Sequence, residues 1–389
     1  MSNKIPNLLV SVDWLFENLD NKDLIILDAT IPKVTSKETT SSDKNQIKNT
    51  IFFDIKNTFS DTNSSFPNTA LSPDKFEFQA QNLGINNNSC LVVYDDLGIY
   101  SSTRVWWLFK LMGFHNIAVL NGGFPAWKEA GYPIEIPKEN QLKKGNFTAD
   151  YQPKKIAYTN DVLSEIKNKD KVILDARSSG RFLGIEQEPR KDIRNGHIPN
   201  SKNLPYNFLL ENRKFKSKEE IKQIFEELNP ENKPMIFSCG TGITASILDF
   251  ASEIVGYKNT SVYDGSWTEW GSTNNLPIKN DMEKNWSKEE FHAYVLTFAA
   301  LCNKIQAEEE LDFILSKIKK DTFYKIHNEI VNHSEKESHQ KIQDYLKENE
   351  YSQIEKDELL RDIKSVFFAD KTVDSYEKEV FQFLRKLLN

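Results

Sequence analysis

Two halves of this chain repeat the same motifs, and such a repeat constrains the fold strongly because both copies must build the same unit. Residues 24–30, LIILDAT, resemble residues 172–178, VILDARS, and each is a β-rich apolar run that reaches Asp-Ala. Residues 113–127, GFHNIAVLNGGFPAW, resemble residues 256–270, GYKNTSVYDGSWTEW. The sequence therefore predicts two copies of one unit.

Each copy alternates short apolar runs with amphipathic stretches such as residues 221–228, IKQIFEEL. Short buried strands that alternate with helices favour a parallel or mostly parallel sheet covered by helices. The polar stretches 134–155 and 271–285 are interpreted as linkers. We therefore expect an α/β chain with one copy at residues 6–135 and the other at residues 156–280.

The sequence changes character after Trp286. Ser287 and Glu290 have the spacing of a capping box, which predicts the start of a helix. Apolar residues then recur at helical spacing, both directly afterwards and near the end of the chain: Phe291, Val295, Phe298 and Cys302, then Val380, Phe383, Leu384 and Leu387. Residues 286–389 are predicted to form an all-α domain.

Charge and cysteine content exclude several classes of protein. The formal net charge is −7, whereas nucleic acids and anionic membranes require a basic surface on their partner. No window is apolar enough to span a membrane, and the N-terminal residues show no secretory signal pattern. Cys90, Cys239 and Cys302 are odd in number and far apart, which favours the cytoplasm and argues against a structural zinc site. Cys90 and Cys302 lie in apolar runs and are interpreted as inert buried thiols.

The segment SCGTGITAS, residues 238–246, places Cys239 between an apolar run and a helix expected to begin near Thr244 or Ala245. The N–H groups of such a turn converge with the positive end of the helix dipole. This arrangement favours a thiolate, which is the nucleophilic form of cysteine. We predict that Cys239 is a catalytic nucleophile.

The first copy carries a different residue at the same place. Aligning VYDDLGIYSS with FSCGTGITAS puts Asp95 opposite Cys239 and Tyr100 opposite Thr244. The first copy therefore has no nucleophile at its turn. We interpret it as a scaffold half, which leaves one active site per chain.

Several independent segments together resemble the tandem-domain rhodaneses, which are thiosulfate or 3-mercaptopyruvate sulfurtransferases. They are NGHIPNSKNLPY (195–206), YDGSWTEWG (263–271), the Cys239 turn and the repeat itself, and the resemblance covers about residues 6 to 280. It implies two rhodanese-like domains with the catalytic turn in the second, a persulfide carried by Cys239 and no cofactor. The related cysteine phosphatases need an arginine six positions after the cysteine, where this chain has Ala245.

The resemblance also implies which residues hold the sulfur donor. The loop from Cys239 to Thr244 is similar to the Cys-Gly-Ser-Gly-Val-Thr loop of mercaptopyruvate sulfurtransferases and lacks the Arg-Lys typical of thiosulfate enzymes. In this interpretation the loop residues that surround the donor are Gly240, Thr241, Gly242, Ile243 and Thr244. Thr241 matches a serine that is thought to donate a hydrogen bond or relay a proton.

Two arginines support the same donor. Arg181 and Arg190 match the pair that binds the carboxylate and keto oxygen of mercaptopyruvate, for which planar guanidinium groups are well suited. The alternative is that both are solvent-facing arginines of a Gly- and Pro-containing turn.

The chain also departs from the family pattern. Asn68 occupies the position of a histidine that is proposed to act with the serine and an aspartate, while Asp54 matches the aspartate. The relay is therefore incomplete, and the proton must come from water, from Asp54 or from the substrate. His197 is interpreted as a structural residue that orients the local backbone.

These observations predict a sulfurtransferase that moves sulfane sulfur from 3-mercaptopyruvate to cyanide or a thiol acceptor such as thioredoxin. The alternatives are thiosulfate:cyanide sulfurtransferase activity, or a persulfide-carrying adaptor whose helical domain recruits an unknown partner. The helical domain weakly resembles TerB-like families, some of which bind metal through acidic turns. Asp370, Asp374 and Glu377 are interpreted as helix caps rather than metal ligands.

Overall fold

The computed structural model describes residues 4–31, 45–138, 142–280, 286–302, 308–331, 333–369 and 375–388. The described residues form two parallel five-stranded sheets and a C-terminal helical region. The fold class predicted from the sequence is confirmed. The domain boundaries at residues 6–135, 156–280 and 286–389 stay a prediction.

The first copy is an α/β layer built around one parallel sheet. Its strands are β1 (Leu9–Val10), β2 (Leu24–Asp28), β3 (Gln46–Ile47), β4 (Thr50–Phe52), β5 (Cys90–Tyr94), β6 (Ile117–Leu120) and β7 (Ile134–Glu135). Its helices are α1 (Val12–Glu17), α2 (Pro73–Asn82), α3 (Ser102–Leu111) and α4 (Gly123–Glu129). The sheet order is β1-β6-β5-β2-β4, and β3 pairs separately with β7. Every residue of β5 is buried, as expected for a parallel strand covered on both faces.

The second copy repeats this architecture. Its strands are β8 (Ile156–Ala157), β9 (Val172–Asp175), β10 (Lys202–Asn203), β11 (Leu210–Glu211), β12 (Lys214–Phe215), β13 (Met235–Ser238) and β14 (Thr260–Tyr263). Its α-helices are α5 (Thr159–Asn168), α6 (Ser179–Leu183), α7 (Lys218–Leu228), α8 (Ala245–Ile254) and α9 (Ser266–Ser272), and two 3₁₀ turns cover Pro153–Lys155 and Tyr206–Leu209. The order β8-β14-β13-β9-β10 matches that of the first copy strand for strand. The residues 221–228 lie within α7, as predicted.

The two copies pack together through α3 and α8, the helices that follow the two central strands. The Trp106 ring contacts the Phe250 ring edge to face, with 4.8 Å between centroids. Nearby, the Lys110 ammonium lies 3.0 Å from the Glu253 carboxylate, and both side chains are largely buried. One hydrophobic cluster runs through both copies. The turns that follow β5 and β13 therefore lie at the ends of two helices that share a core.

The described part of the C-terminal region is helical, as predicted. Its helices are α10 (Lys288–Leu301), α11 (Glu308–Lys317), α12 (Lys320–Ile330), α13 (Glu335–Glu348), α14 (Gln353–Phe367) and α15 (Ser375–Leu388). The predicted capping box is present: the Glu290 N–H donates to Ser287 Oγ at 3.2 Å, and the Ser287 N–H donates to the Glu290 carboxylate at 2.8 Å. These helices surround a hydrophobic core of their own.

Contacts divide the chain into two compact units. The first consists of Met1–Arg177 and Glu186–Lys279, and the second of Ser178–Ile185 and Asn280–Asn389. The short helix α6 thus groups with the helical region, where it packs against α12. In the part of the chain that the structure describes, no helix is both long and apolar enough to cross a membrane.

Candidate active site

The Cys239 turn lies at the carboxyl end of β13, between β9 and β14 in the sheet. Ligands of parallel α/β sheets bind at this end of the strands. The helix α8 begins at Ala245, with Thr244 as its N-cap residue. Cys239 is 1% exposed, so its thiol lies within the turn rather than on the surface.

Gly242 lets the backbone of this turn fold back on the thiol. Its φ of +79° lies in the left-handed region, which glycine adopts without strain. The Gly242 N–H approaches Cys239 Sγ at 3.1 Å, and the Gly242 carbonyl accepts a hydrogen bond of 2.9 Å from Ser246 Oγ. An N–H that points at sulfur stabilises negative charge there.

The first turn of α9 forms a platform under the loop. Ser266 Oγ accepts hydrogen bonds from the N–H groups of Cys239 (3.3 Å) and Gly242 (3.1 Å). The Trp267 N–H donates to the Cys239 carbonyl at 2.8 Å. Thr268 donates to the Gly240 carbonyl through its N–H (3.0 Å) and its hydroxyl (2.7 Å). Because residues of α9 form several hydrogen bonds with the Cys239 loop, the loop geometry depends on a segment that is distant along the chain.

Ser266 has a φ of +52°, which is unusual for a residue with a side chain. At the equivalent position of the first copy, Gly123 has a φ of +53°. In the second copy, therefore, Ser266 has a strained backbone conformation that places its hydroxyl beneath the Cys239 loop.

Ser266→Gly is expected to keep the backbone and weaken the reaction. Losing the acceptor of two buried N–H groups costs about 1–3 kcal/mol, which corresponds to roughly a 5- to 150-fold fall in kcat/KM if the whole cost falls on the transition state. Steady-state kinetics, with Ser272→Gly at the other end of α9 as the matched control, measure this effect. An unchanged kcat/KM in Ser266→Gly would show that the hydroxyl does not support the loop.

The first copy shows how the same turn surrounds an acidic side chain. Its Asp95 carboxylate accepts hydrogen bonds from the N–H groups of Tyr100, Ser101 and Ser102 at 2.9–3.0 Å. In the repeat these three positions correspond to residues 244–246, which follow Cys239 at the same distances along the chain. In the second copy the backbone donor at the nucleophile is the Gly242 N–H, whereas the Ser246 N–H donates to the Ile243 carbonyl at 3.2 Å.

The first-copy turn is unsuited to an anionic substrate of its own. Burial, together with the charges of Asp95 and Asp28, raises the pKa of Asp96 to about 6. Burial likewise raises the pKa of Asp28. Asp28, at the end of β2, thus adds a third carboxyl group to the two of this turn, and such a cluster repels anions. Of the two turns, the second-copy turn is therefore the candidate site.

A cavity of about 370 Å³ adjoins the Cys239 loop. Both copies contribute to its wall, which includes Arg190, Thr241, Ile243, Asn68, Tyr100 and Lys56. Arg190 Nη1 donates to Thr268 Oγ1 at 3.2 Å, and Asn68 Nδ2 donates to Thr241 Oγ1 at 3.0 Å. Arg190 is therefore linked to the loop through Thr268. It shares the cavity wall with Thr241 and Ile243, two of the predicted loop residues.

Two of the predicted site residues, Arg181 and Asp54, do not line this cavity. Arg181 lies in α6, which groups with the helical unit, and it is not among the residues that line this cavity. Asp54 does not line the cavity either. Its carboxylate oxygens accept hydrogen bonds from the Asn57 side chain at 3.3 and 3.0 Å. The roles of both residues stay predictions.

Sequence reasoning missed several residues that contact the loop or its cavity: Lys56, Arg104, Asp264, Ser266 and Thr268. Three of them belong to the YDGSWTEWG segment, which had been used only as a family motif. The alignment of Ser266 with Gly123 was a usable signal, because a side chain at a glycine position is unusual.

The described residues contain no group of three or more His, Cys, Asp or Glu side chains that could hold a metal ion. Of the acidic residues considered in the helical region, Asp370 and Asp374 lie outside the described residues, and Glu377 is buried. The resemblance to TerB-like families stays a prediction.

Known proteins share both the sequence and the fold. The sequence pattern of the rhodanese-like domain matches residues 11–130 and 159–273. Thiosulfate/3-mercaptopyruvate sulfurtransferase 2 of Arabidopsis thaliana is 34% identical, over 69% of this chain and 86% of that protein. The 3-mercaptopyruvate sulfurtransferase of Mus musculus is 35% identical, over 67% of this chain and 91% of that protein.

A solved structure adds an independent comparison. The crystal structure of SseA, a 3-mercaptopyruvate sulfotransferase from Escherichia coli, superimposes with a TM-score of 0.60 at 30% identity. It covers 67% of this chain and 99% of that one. Two matched domains, relatives aligned over most of their length and a shared fold lead to one conclusion: this chain belongs to the rhodanese-like family.

Proposed function

We propose that this protein is a sulfurtransferase that takes sulfane sulfur from 3-mercaptopyruvate and carries it as a persulfide on Cys239. The observation that carries the proposal is the Cys239 turn, in which the Gly242 N–H lies 3.1 Å from the thiol sulfur, next to a cavity lined by Arg190 and Thr241. The family and the names of the relatives agree with this reaction class.

The reaction begins when the Cys239 thiolate attacks the sulfur atom of 3-mercaptopyruvate. A sulfur–sulfur bond forms and the carbon–sulfur bond breaks, so that its electron pair leaves with the pyruvate enolate. The enolate takes a proton from the donor's own thiol or from water, and the Thr241 hydroxyl, which belongs to a residue of the cavity wall, is the loop group that relays it. The turn amides stabilise the persulfide anion that remains on Cys239.

In the second half-reaction an acceptor thiolate attacks the outer sulfur atom. The acceptor leaves with that sulfur, and Cys239 returns to the thiolate. A dithiol acceptor such as reduced thioredoxin then forms its own disulfide and releases hydrogen sulfide, whereas cyanide forms thiocyanate. A reducing compartment such as the cytoplasm suits this cycle and a chain in which Cys90, Cys239 and Cys302 are not joined in disulfides.

Mercaptopyruvate is the preferred donor in this proposal because Gly240 and Thr241 give the loop no cation of its own. Substrate charge is then met by Arg190, whose planar guanidinium suits a carboxylate. Thiosulfate is the second candidate. Lys56 favours it, since this cavity residue forms no ion pair within the described ranges and offers a positive charge to a dianion.

Mass spectrometry after incubation with each donor tests the proposal. Mercaptopyruvate is expected to add the mass of one sulfur atom to the Cys239 peptide and to be turned over faster than thiosulfate. No adduct with either donor would contradict the sulfurtransferase assignment. An adduct formed only from thiosulfate would retain that assignment and replace the donor.

A further inference from the structure

Arg104 is a fully buried arginine that the first copy places against the catalytic loop of the second. It lies in the first turn of α3, and its side chain is 0% exposed. Its guanidinium lies 4.4 Å from the centre of the Trp107 ring. A buried charge is costly unless it is paired and hydrogen bonded, so the partners of Arg104 show what it stabilises.

These partners come from three separate segments. Arg104 Nη2 lies 2.6 Å from Asp264 Oδ1 and donates a second 2.6 Å hydrogen bond to the Asn68 carbonyl. Arg104 Nη1 donates a longer bond of 3.4 Å to the Gly242 carbonyl. The guanidinium fork therefore links the loop of the second copy to a segment of the first.

On the loop side, Arg104 restricts Gly242. A Cβ atom at Gly242 would lie 2.9 Å from Arg104 Nη1, so the guanidinium closely backs this turn of the loop. The N–H of the same residue points at Cys239 Sγ. Holding the Gly242 carbonyl therefore helps to orient the donor that faces the nucleophile.

On the other side, the ion pair restricts the first-copy segment that reaches the loop. Asp264 Oδ2 accepts a 2.7 Å hydrogen bond from the Ala70 N–H, while Arg104 holds the Asn68 carbonyl. Asn68 has a φ of +62°, and its side chain donates to Thr241 Oγ1. The pair thus fixes the contact between Asn68 and Thr241.

We propose that Arg104, paired with Asp264, is a positioning residue that fixes the Gly242 backbone and the Thr241 side chain around Cys239. Arg104 touches neither the donor nor the sulfur in this role. Its loss therefore acts on the geometry of the reacting groups more than on donor binding. The proposal rests on the function proposed above, although its effect on the thiol itself can be measured without a sulfur donor.

Arg104→Lys is the informative variant, because lysine keeps the charge and one bond to Asp264 but cannot bridge three acceptors at once. Arg177→Lys is its matched control. Arg177 is also fully buried and stacks over a tryptophan, at 4.2 Å from the Trp267 ring, and its hydrogen bonds go to Asp175, Glu188 and the Gly196 carbonyl. Both variants are expected to lower the melting temperature to a similar extent.

The two variants are expected to differ in kinetics. Arg104→Lys should lower kcat about tenfold or more while KM for mercaptopyruvate changes little, because small displacements of reacting groups cost up to about a hundredfold in rate. It should also slow the alkylation of Cys239 by iodoacetamide at a fixed pH. Arg177→Lys should lower both rates much less, because none of the hydrogen-bond partners of Arg177 lies in the Cys239 loop.

Equal kcat values in Arg104→Lys and Arg177→Lys, or a loss confined to KM, would overturn the positioning role. If Arg104→Lys does not fold, the isosteric Asp264→Asn is used instead, because it weakens the same ion pair. Its kcat should also fall about tenfold or more, and below that of Arg177→Lys. If the unmodified protein transfers no sulfur, the function proposal fails. The alkylation rates of the variants then decide the positioning role.

Discussion

Cys239→Ser is expected to abolish sulfur transfer and leave the fold intact. The serine hydroxyl is not ionised at neutral pH and cannot hold a persulfide, so the first half-reaction has no nucleophile. Serine is close to cysteine in size, and the turn bonds that involve the Cys239 backbone remain. Pyruvate release from mercaptopyruvate and the mass of the protein after donor treatment measure the first half-reaction, and thiocyanate formation from cyanide measures the second.

Cys90→Ser is the matched control for this variant. Cys90 is also a buried thiol, but it is the first residue of the parallel strand β5, and its sulfur accepts a hydrogen bond from Asn116 Nδ2 at 3.2 Å. Its replacement should leave pyruvate release unchanged. Pyruvate release that survives in Cys239→Ser, or a sulfur adduct on another residue, would refute the assignment of the nucleophile.

Arg190→Ala is expected to reduce kcat/KM for mercaptopyruvate about 10- to 100-fold, the range for a hydrogen bond to a charged group. Arg190 lines the cavity and donates to Thr268, so its guanidinium lies next to the loop. The reduction for thiosulfate should be smaller, since Lys56 still supplies charge there. Initial rates with both donors over a range of concentrations give this ratio.

Lys191→Ala serves as the control, because this neighbouring cation is exposed and is not among the residues that line the cavity. It should leave both donors unaffected. Equal losses for the two donors in Arg190→Ala would contradict a carboxylate-binding role and indicate a general effect on the loop.

Local sequence signals predicted most of the fold. The two Asp-Ala strands are β2 and β9, and the helix predicted from the Ser287 capping box is α10. These features depend on neighbours within a few residues, such as apolar runs for buried strands and caps for helix starts. The contact grouping of α6 with the helical region was not predicted, because packing between distant segments leaves no local pattern.

The sequence predicted the Cys239 turn itself but not the side chains that surround it. The glycines and the following helix identified the Cys239 turn because strand, turn and helix are consecutive in the chain. Arg104 gave no comparable signal, since it is one polar residue among the apolar residues of α3. Its partner Asp264 is 160 positions away, and no spacing rule connects them.

The sequence by itself determined that this chain folds as two α/β copies with one cysteine turn, because repeats, periodicity and turn chemistry act over short distances. Only the tertiary structure decided which side chains surround that turn. The Asn68 side chain meets Thr241 across 173 positions, and Ser266 supports the loop from the next strand-to-helix connection. Such contacts arise when packing brings separate segments together, so their energetic role becomes visible only in the folded chain.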